Sequence, residues 1–242
     1  MSGSRCDLHC HYLPAVDDGV RTLDDGLALC RGLQELGFST AVATPHMRPG
    51  MFDNERPQLE AAFAAFVEAS QAQAGLPELS LAAEHFCDDV FFARLAGGAA
   101  LPYPGGHAAL IEFATDRMPL RLSEQFFRMQ VRGLRPVIAH PERYTQVWKD
   151  SETLRVLVER GAVGLLDVMA LVGKYGRRPQ RCAEELLGED LYFAACSDSH
   201  KPEDLDSVAR GIARLVELVG AELAEQMLAD RPRQILAGTV QD

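Results

Sequence analysis

The chain has 242 residues, of which 47% are hydrophobic and 24% charged, a composition that suits one large α/β domain and argues against wholesale disorder. Its 35 acidic residues outnumber 24 basic ones for a net charge of −11, which makes it a poor partner for nucleic-acid phosphates. No apolar stretch is long enough to span a membrane, and no basic region followed by an apolar run marks a signal peptide, so the expectation is a cytoplasmic protein without membrane insertion. The cysteines Cys6, Cys10, Cys30, Cys87, Cys182 and Cys196 form no C-x-x-C pair and read as cytosolic thiols, not a disulfide framework. Cys6 and Cys10 flank the first motif, as oxidation-sensitive thiols or as small buried residues.

Residues 4–8 read as a short strand entering Asp7-Leu8-His9-Cys10-His11, with Asp17-Asp18-Gly19 beyond Pro14. Side chains at i and i+2 of a strand share a face, so His9 and His11 project together and can grip one ion. The carboxylates that follow have the character of further ligands. The alternative for an isolated His-x-His is two surface histidines beside a solvated acidic turn. Thr22 then caps a helix with Asp25 three residues on, Leu23, Leu27, Cys30, Leu33 and Leu36 fall at helical spacing, and Gly37 closes it. Residues 39–44 form a buried strand. Pro45 cannot continue a ladder, which places His46 on the loop past the strand end. Asn54 caps a long helix with an apolar stripe at Leu59, Ala62, Phe63, Phe66 and Val67, broken at Gly75-Leu76-Pro77.

Residues 79–83 read as the next strand and deliver Glu84. A short helix over 89–95 and a Gly- and Pro-rich loop precede a strand over 108–113 that contains Glu112. Further helices fall at 122–131, 151–160 and 179–187. Further strands fall at 135–139, 162–168 and 191–196. The strand at 135–139 ends in His140-Pro141-Glu142-Arg143-Tyr144, and the one at 191–196 in Ser197-Asp198-Ser199-His200. Helices at 208–218 and 223–228 follow, and Asp230-Arg231-Pro232 reads as a last helix start. Strands alternating with helices imply a parallel α/β fold with right-handed crossovers, in which chemistry gathers at the C-terminal strand ends. His9, His11, His46, Glu84, His140, Asp198 and His200 all fall there, and Glu112 lies just inside its strand end. This clustering is the main reason to expect a metal site. Glu112, between Ile111 and Phe113, also needs a buried partner such as a metal or an arginine. His85 and His107 have no motif and read as structural or exposed.

Other phosphate chemistries fit poorly. No cysteine has an arginine six positions later, so a C-x5-R loop is missing. Asp204-Leu205-Asp206-Ser207-Val208 has a D-x-D-x-V form but lacks the apolar strand that should precede it. Gly173-Lys174 lacks the remainder of a P-loop.

Together these motifs resemble the PHP (polymerase and histidinol phosphatase) superfamily, and within it the bacterial tyrosine-protein phosphatases encoded with capsule and exopolysaccharide genes. The resemblance is carried by D-x-H-C-H with D-D-G, by T-P-H followed by Arg48-Pro49-Gly50-Met51-Phe52, by the Glu84 strand end, by L-I-E-F, H-P-E-R-Y, G-K-Y-G at 173–176, and S-D-S-H. It implies a single PHP-type domain over 1–242, a distorted (β/α)7 barrel, and three divalent ions, most often manganese, with iron, zinc, magnesium or cobalt as other choices. By motif, His9, His11, Glu84 and Asp198 would hold one ion, and Glu84 would bridge to a second held with Glu112 and His140. Asp18, His46 and His200 would hold the third. Arg143 would bind the substrate phosphate, with Arg48 as a second candidate. The implied reaction is hydrolysis of phosphotyrosine on a protein, a bacterial tyrosine autokinase of polysaccharide export, by a metal-bridging hydroxide. The alternatives are a histidinol-phosphate or other small-molecule phosphatase on the same site, and a non-catalytic metal-binding regulatory module. A homo-oligomer stays open. Two departures from the family pattern concern substrate contacts: residues 167–170 lack the usual Gln or Asn, and the nearest basic residues after S-D-S-H are Lys201 and Arg210.

Overall fold

The alternation of apolar runs with 3.6-periodic segments carries through to the structure, a computed structural model that describes residues 4–241. β1 (Arg5–Cys10) leads into α1 (Leu23–Glu35), whose cap Thr22 accepts a hydrogen bond from Asp25 N. β2 (Phe38–Ala43), β3 (His46–Met47), α2 (Arg56–Ser70), β4 (Glu78–Leu81), β5 (Glu84–Phe86) and α3 (Asp89–Ala96) follow. Then come β6 (Ala108–Glu112), α4 (Leu122–Val131), β7 (Arg135–Ala139), α5 (Glu152–Glu159), β8 (Val163–Asp167), α6 (Arg177–Gly188) and β9 (Ala194–Cys196). The chain closes with α7 (Leu205–Val219) and α8 (Ala221–Glu225), which continues through a π-helical turn into α9 (Arg231–Ala237).

All strand pairings are parallel, in the orders β1-β2-β4 and β3-β5-β6-β7-β8-β9. β2 and β3 are two halves of one strand position interrupted at Thr44-Pro45, and β4 and β5 are likewise interrupted at Ala82-Ala83. Hydrogen bonds from Ala82 N to Ala43 O and from Glu84 N to Pro45 O carry the pairing across the breaks. A parallel bridge between Cys10 and Ser199, with Asp198 N donating to His9 O, brings β9 back to β1. The result is a ring of seven strand positions with irregular register, the distorted barrel that the motifs imply. At the β9–β1 seam the buried Asp7 carboxylate accepts from Ser197 N at 2.9 Å and from the Ser197 hydroxyl.

Successive strand residues alternate between two apolar clusters. Leu110, Val137, Ala139, Leu165 and Cys196 pack on the face inside the ring. Ile111, Ile138, Leu166 and Ala195 pack outward against Leu33, Phe126, Leu157 and Leu186 of the helices. This double burial explains the continuous apolar character of the strands.

Two expectations need correction. His46 is not on a loop: Pro45 interrupts the ladder for one donor only, and His46 resumes it opposite Glu84 as the first residue of β3. Asn54 does not cap α2. Its amide donates to Val16 O and His46 O at 2.9 and 2.8 Å, and Glu55 takes the cap in a reciprocal pair with Gln58.

Candidate metal centre

The nine predicted ligand positions meet at the C-terminal end of the ring in four overlapping groups whose donor atoms lie within 4.8 Å of one another. His9, His11 and Glu84 form one group, His9, His140 and Asp198 another, His46, Glu84 and Glu112 a third, and His11, Asp18, His46 and His200 the fourth. Glu84 is the hub. Its Oε2 lies 3.0 Å from His46 Nδ1 and 3.2 Å from His9 Nε2, and its Oε1 lies 2.9 Å from His140 Nε2. The grouping differs from the expected one: Glu112 sits with His46, 3.3 Å from Nδ1, Asp198 groups with His9 and His140 and not with His11 and Glu84, and His11 also joins the group at Asp18, while His140 keeps its contact to Glu84. The first three groups are buried, while Asp18 is exposed and His200 half-buried, so the fourth group lies at the mouth.

Sequence explains this convergence locally. The two i, i+2 motifs come from β1 and from just beyond β9, and the bridge between Cys10 and Ser199 lays them side by side. Two ligand-type residues, His140 and Asp198, hold positive φ values of 35° and 46°, a conformation that costs a side-chain-bearing residue about 1–2 kcal/mol. Each turns its strand end sharply toward the ring axis. Asp17, which sequence reasoning grouped with Asp18 but did not single out, stands one layer back. It accepts from His11 Nδ1 at 2.7 Å and from the backbone of His46 and Gly19. The adjacent pair of aspartates was the only available signal.

The buried carboxylates of the cluster draw positive charge to it. Burial disfavours the ionised state of every group, yet Asp198 and Glu84 lift His9 above its ordinary pKa, and Glu84 leads in lifting His46 well above it. His200 is lifted to about 9, against burial, chiefly by Asp18. Burial alone would raise Glu84 and Asp198; with His9 the leading opposing charge, both lie well below the usual carboxylate range. Protons on His9, His46 and His200 are thus favoured by the carboxylates around them, a compensation that divalent cations would also supply. Asp198 Oδ1, Glu112 Oε1 and His46 Nδ1 are buried without a hydrogen-bond partner, and the Nε2 atoms of His9 and His11 face each other at 3.2 Å. An all-nitrogen-and-oxygen donor set of this kind fits manganese, iron, zinc or magnesium better than thiophilic metals. The cysteines stand aside: burial pushes the Cys6 thiol up to about 12 and that of Cys10 well above normal, so both are small buried residues and not reactive thiols.

Arg143 lies beside the cluster, half-buried, donating to Asp198 Oδ2. Its guanidinium stacks over the Tyr175 ring at 4.5 Å. Arg48 is 3.8 Å from Glu112 Oε1 and stacks over Phe86 at 4.4 Å. Sequence reasoning gave no role to Glu142 or Asp167, both fully buried. Glu142 accepts from Asp167 N at 3.1 Å and from the Tyr192 hydroxyl at 2.8 Å, binding the Arg143 turn to β8. Burial first, and then Asp167, pushes Glu142 up to about 8, and burial followed by Asp198 pushes Asp167 up to about 7. Asp204, from the discarded D-x-D-x-V stretch, ties Lys174 to the His200 backbone. His85 is buried and hydrogen-bonded at both ring nitrogens, and His107 is exposed, as their lack of motif implied.

Known proteins match this chain along its length. The family model described as capsular polysaccharide synthesis, CpsB/CapC, matches residues 5–237. The tyrosine-protein phosphatase YwqE of Bacillus subtilis is 30% identical over 201 residues, covering 80% of this chain and 76% of YwqE. The tyrosine-protein phosphatase CpsB of Streptococcus pneumoniae is 25% identical over 239 residues, covering 95% of this chain and 97% of CpsB. A crystal structure from the study of those two proteins, described as unique metal-dependent tyrosine phosphatases, superposes with a TM-score of 0.90 at 26% identity, over 98% of this chain and 96% of that one. A prolidase at 10% identity and TM-score 0.57, covering 99% of this chain and 76% of its own, shares the fold alone. With a ring of parallel strands, a histidine- and carboxylate-rich mouth and a family match over nearly every residue, the chain belongs to the CpsB/CapC family of capsular polysaccharide synthesis.

Proposed function

We propose that this chain is a metal-dependent protein-tyrosine phosphatase, acting in the cytoplasm on a tyrosine autokinase of polysaccharide export. The observation that carries the reading is the pooling of His9, His11, Asp18, His46, Glu84, Glu112, His140, Asp198 and His200 at one strand-end mouth beside Arg143. The likeness to YwqE and CpsB supports the choice of substrate. We read the nine residues as ligands to three divalent ions, manganese first, and residues 1–242 as one domain, a reading that the family match over 5–237 supports.

Divalent ions held there would supply a nucleophile at neutral pH and Lewis acidity toward the phosphoryl oxygens. The protein's own part is placement and charge. Arg143 offers a planar fork of donors to the phosphate, and Arg48 offers a second cation at the opposite side of the cluster. Asp18 and His200 at the mouth leave access for a bulky substrate. The leaving group is a tyrosine phenolate, whose conjugate acid has a pKa of about 10, so departure needs no strong general acid.

Phosphate release from a phosphotyrosyl peptide, with metal-stripped protein as the blank, tests this reading. Turnover should require added manganese and should fall at least 1,000-fold in His9→Ala and Asp198→Ala. Turnover that survives either substitution in metal-defined buffer would overturn the site. Faster hydrolysis of histidinol phosphate than of the peptide would transfer the same site to small-molecule chemistry. No hydrolysis of either by folded, metal-loaded protein would favour a regulatory module.

A further inference from the structure

Six of the seven strand positions contribute to the ligand groups: β1, β6, β7 and β9 at or just beyond their C-terminal ends, and the interrupted positions β2–β3 and β4–β5 where β3 and β5 begin. β8 is the exception among the described residues, although it too ends in a buried carboxylate, Asp167. That carboxylate is tightly held. Its Oδ1 accepts from Met169 N at 2.8 Å, and its own N–H donates to Glu142 Oε1 at 3.1 Å. Its Oδ2 is buried and lies 3.9 Å from Arg143 Nη1, and the Tyr175 hydroxyl also interacts with this carboxylate. On another side of the same guanidinium lies the Tyr175 ring at 4.5 Å, carried on a turn whose flanking Gly173 and Gly176 both have positive φ. Asp198 completes the surroundings of Arg143, but its other oxygen already points into the ligand cluster, 3.2 Å from His9 Nε2.

We propose that Asp167 and Tyr175 are positioning residues that hold the Arg143 guanidinium at the phosphate site independently of Asp198. The proposal rests on the phosphatase reading above and extends it to residues outside the ligand groups. A half-exposed arginine has many rotamers, and freezing one in advance lowers the ordering cost of binding an anion. Asp167 presents an oxygen to one edge of the fork, and Tyr175 a face on which the plane rests. With the β8 carboxylate assigned to Arg143 in place of a metal, the arginine has a support of its own beside Asp198, the carboxylate that it shares with the ligand cluster.

Asp167→Asn, Tyr175→Leu and Tyr175→Phe in manganese-loaded protein test the idea, read by calorimetric titration with inorganic phosphate and by manganese content. Asp167→Asn and Tyr175→Leu should each weaken phosphate about tenfold, equivalent to about 1.4 kcal/mol, with manganese content unchanged. Tyr175→Phe keeps the ring and should recover most of the loss. In turnover of the phosphotyrosyl peptide the same variants should raise KM more than they lower kcat. Phosphate affinity within twofold of the unsubstituted protein in both Asp167→Asn and Tyr175→Leu would overturn the proposal, as would a loss of manganese that accounts for the weaker binding. Because phosphate affinity is read without turnover, a protein that binds phosphate through Arg143 but leaves the peptide intact refutes the tyrosine-phosphatase reading alone.

Discussion

His11 donates from Nδ1 to Asp17 Oδ2 at 2.7 Å, which fixes the tautomer and turns the Nε2 lone pair toward the cluster. Asp17→Asn removes the charge that orients the ring and should weaken metal binding by about 10–100-fold, measured by competition with a fluorescent chelator. His85 carries the opposite lesson. Its Nδ1–H donates to Leu110 O and its Nε2 accepts from Leu101 N, both at 3.1 Å, so protonation would set two N–H groups against each other. Burial depresses its pKa to about 4. The unfolded chain therefore takes up this proton near pH 6.5 and the folded chain only near 4. Its share of the stability is intact above pH 6.5 and falls away between 6.5 and 4. His85→Gln should flatten that limb of the stability curve, as measured by denaturant titration across pH 4–7. Sequence separates these histidines by motif, and the structure places His11 in the cluster and His85 outside it. Sequence reasoning overlooked Asp17, Glu142, Asp167 and Tyr175, because a residue that orients another has no spacing signature of its own. Glu142 meets Tyr192 across 50 positions.

Strands and helices were largely legible because both faces of the sheet are buried and the periods of 2 and 3.6 stay clean. The misses fall where a single residue changes the rule locally. Pro45 reads as the end of a strand, yet a ladder can skip one donor and resume. Val168 reads as strand, but the Asp167 side chain caps a 3-10 turn over Val168–Val172 and ends β8 one residue early. That turn packs under α7, where Gly211 lets the helix approach: an added Cβ would sit 2.3 Å from Val168 O. Gly211→Ala should therefore cost about 1–3 kcal/mol, despite the better helix propensity of alanine, and lower the denaturant midpoint. A midpoint raised by the substitution would show that α7 does not press on this turn.

At the scale of the molecule, cations that fill the cluster bind the folded chain, in which the ligand groups are assembled, and not the unfolded one. Stripping the metal should lower the melting temperature. At 100 times its dissociation constant a bound ion contributes about 2.7 kcal/mol, which scanning calorimetry with and without manganese would resolve. The same architecture sets an order of assembly during synthesis. Asp7 and Ser197, which pin the seam, are 190 positions apart, and His9 and His11 await the last strand. At translation rates of 5–20 residues per second that wait is roughly 10–40 s. Through this interval the growing polypeptide carries its first histidines without their closing partners, and metal capture becomes the final step of maturation. A ribosome that stops short of Ser197 releases a chain with most of its barrel and no catalytic competence, so incomplete products cannot strip phosphate from the proteins that the finished enzyme serves.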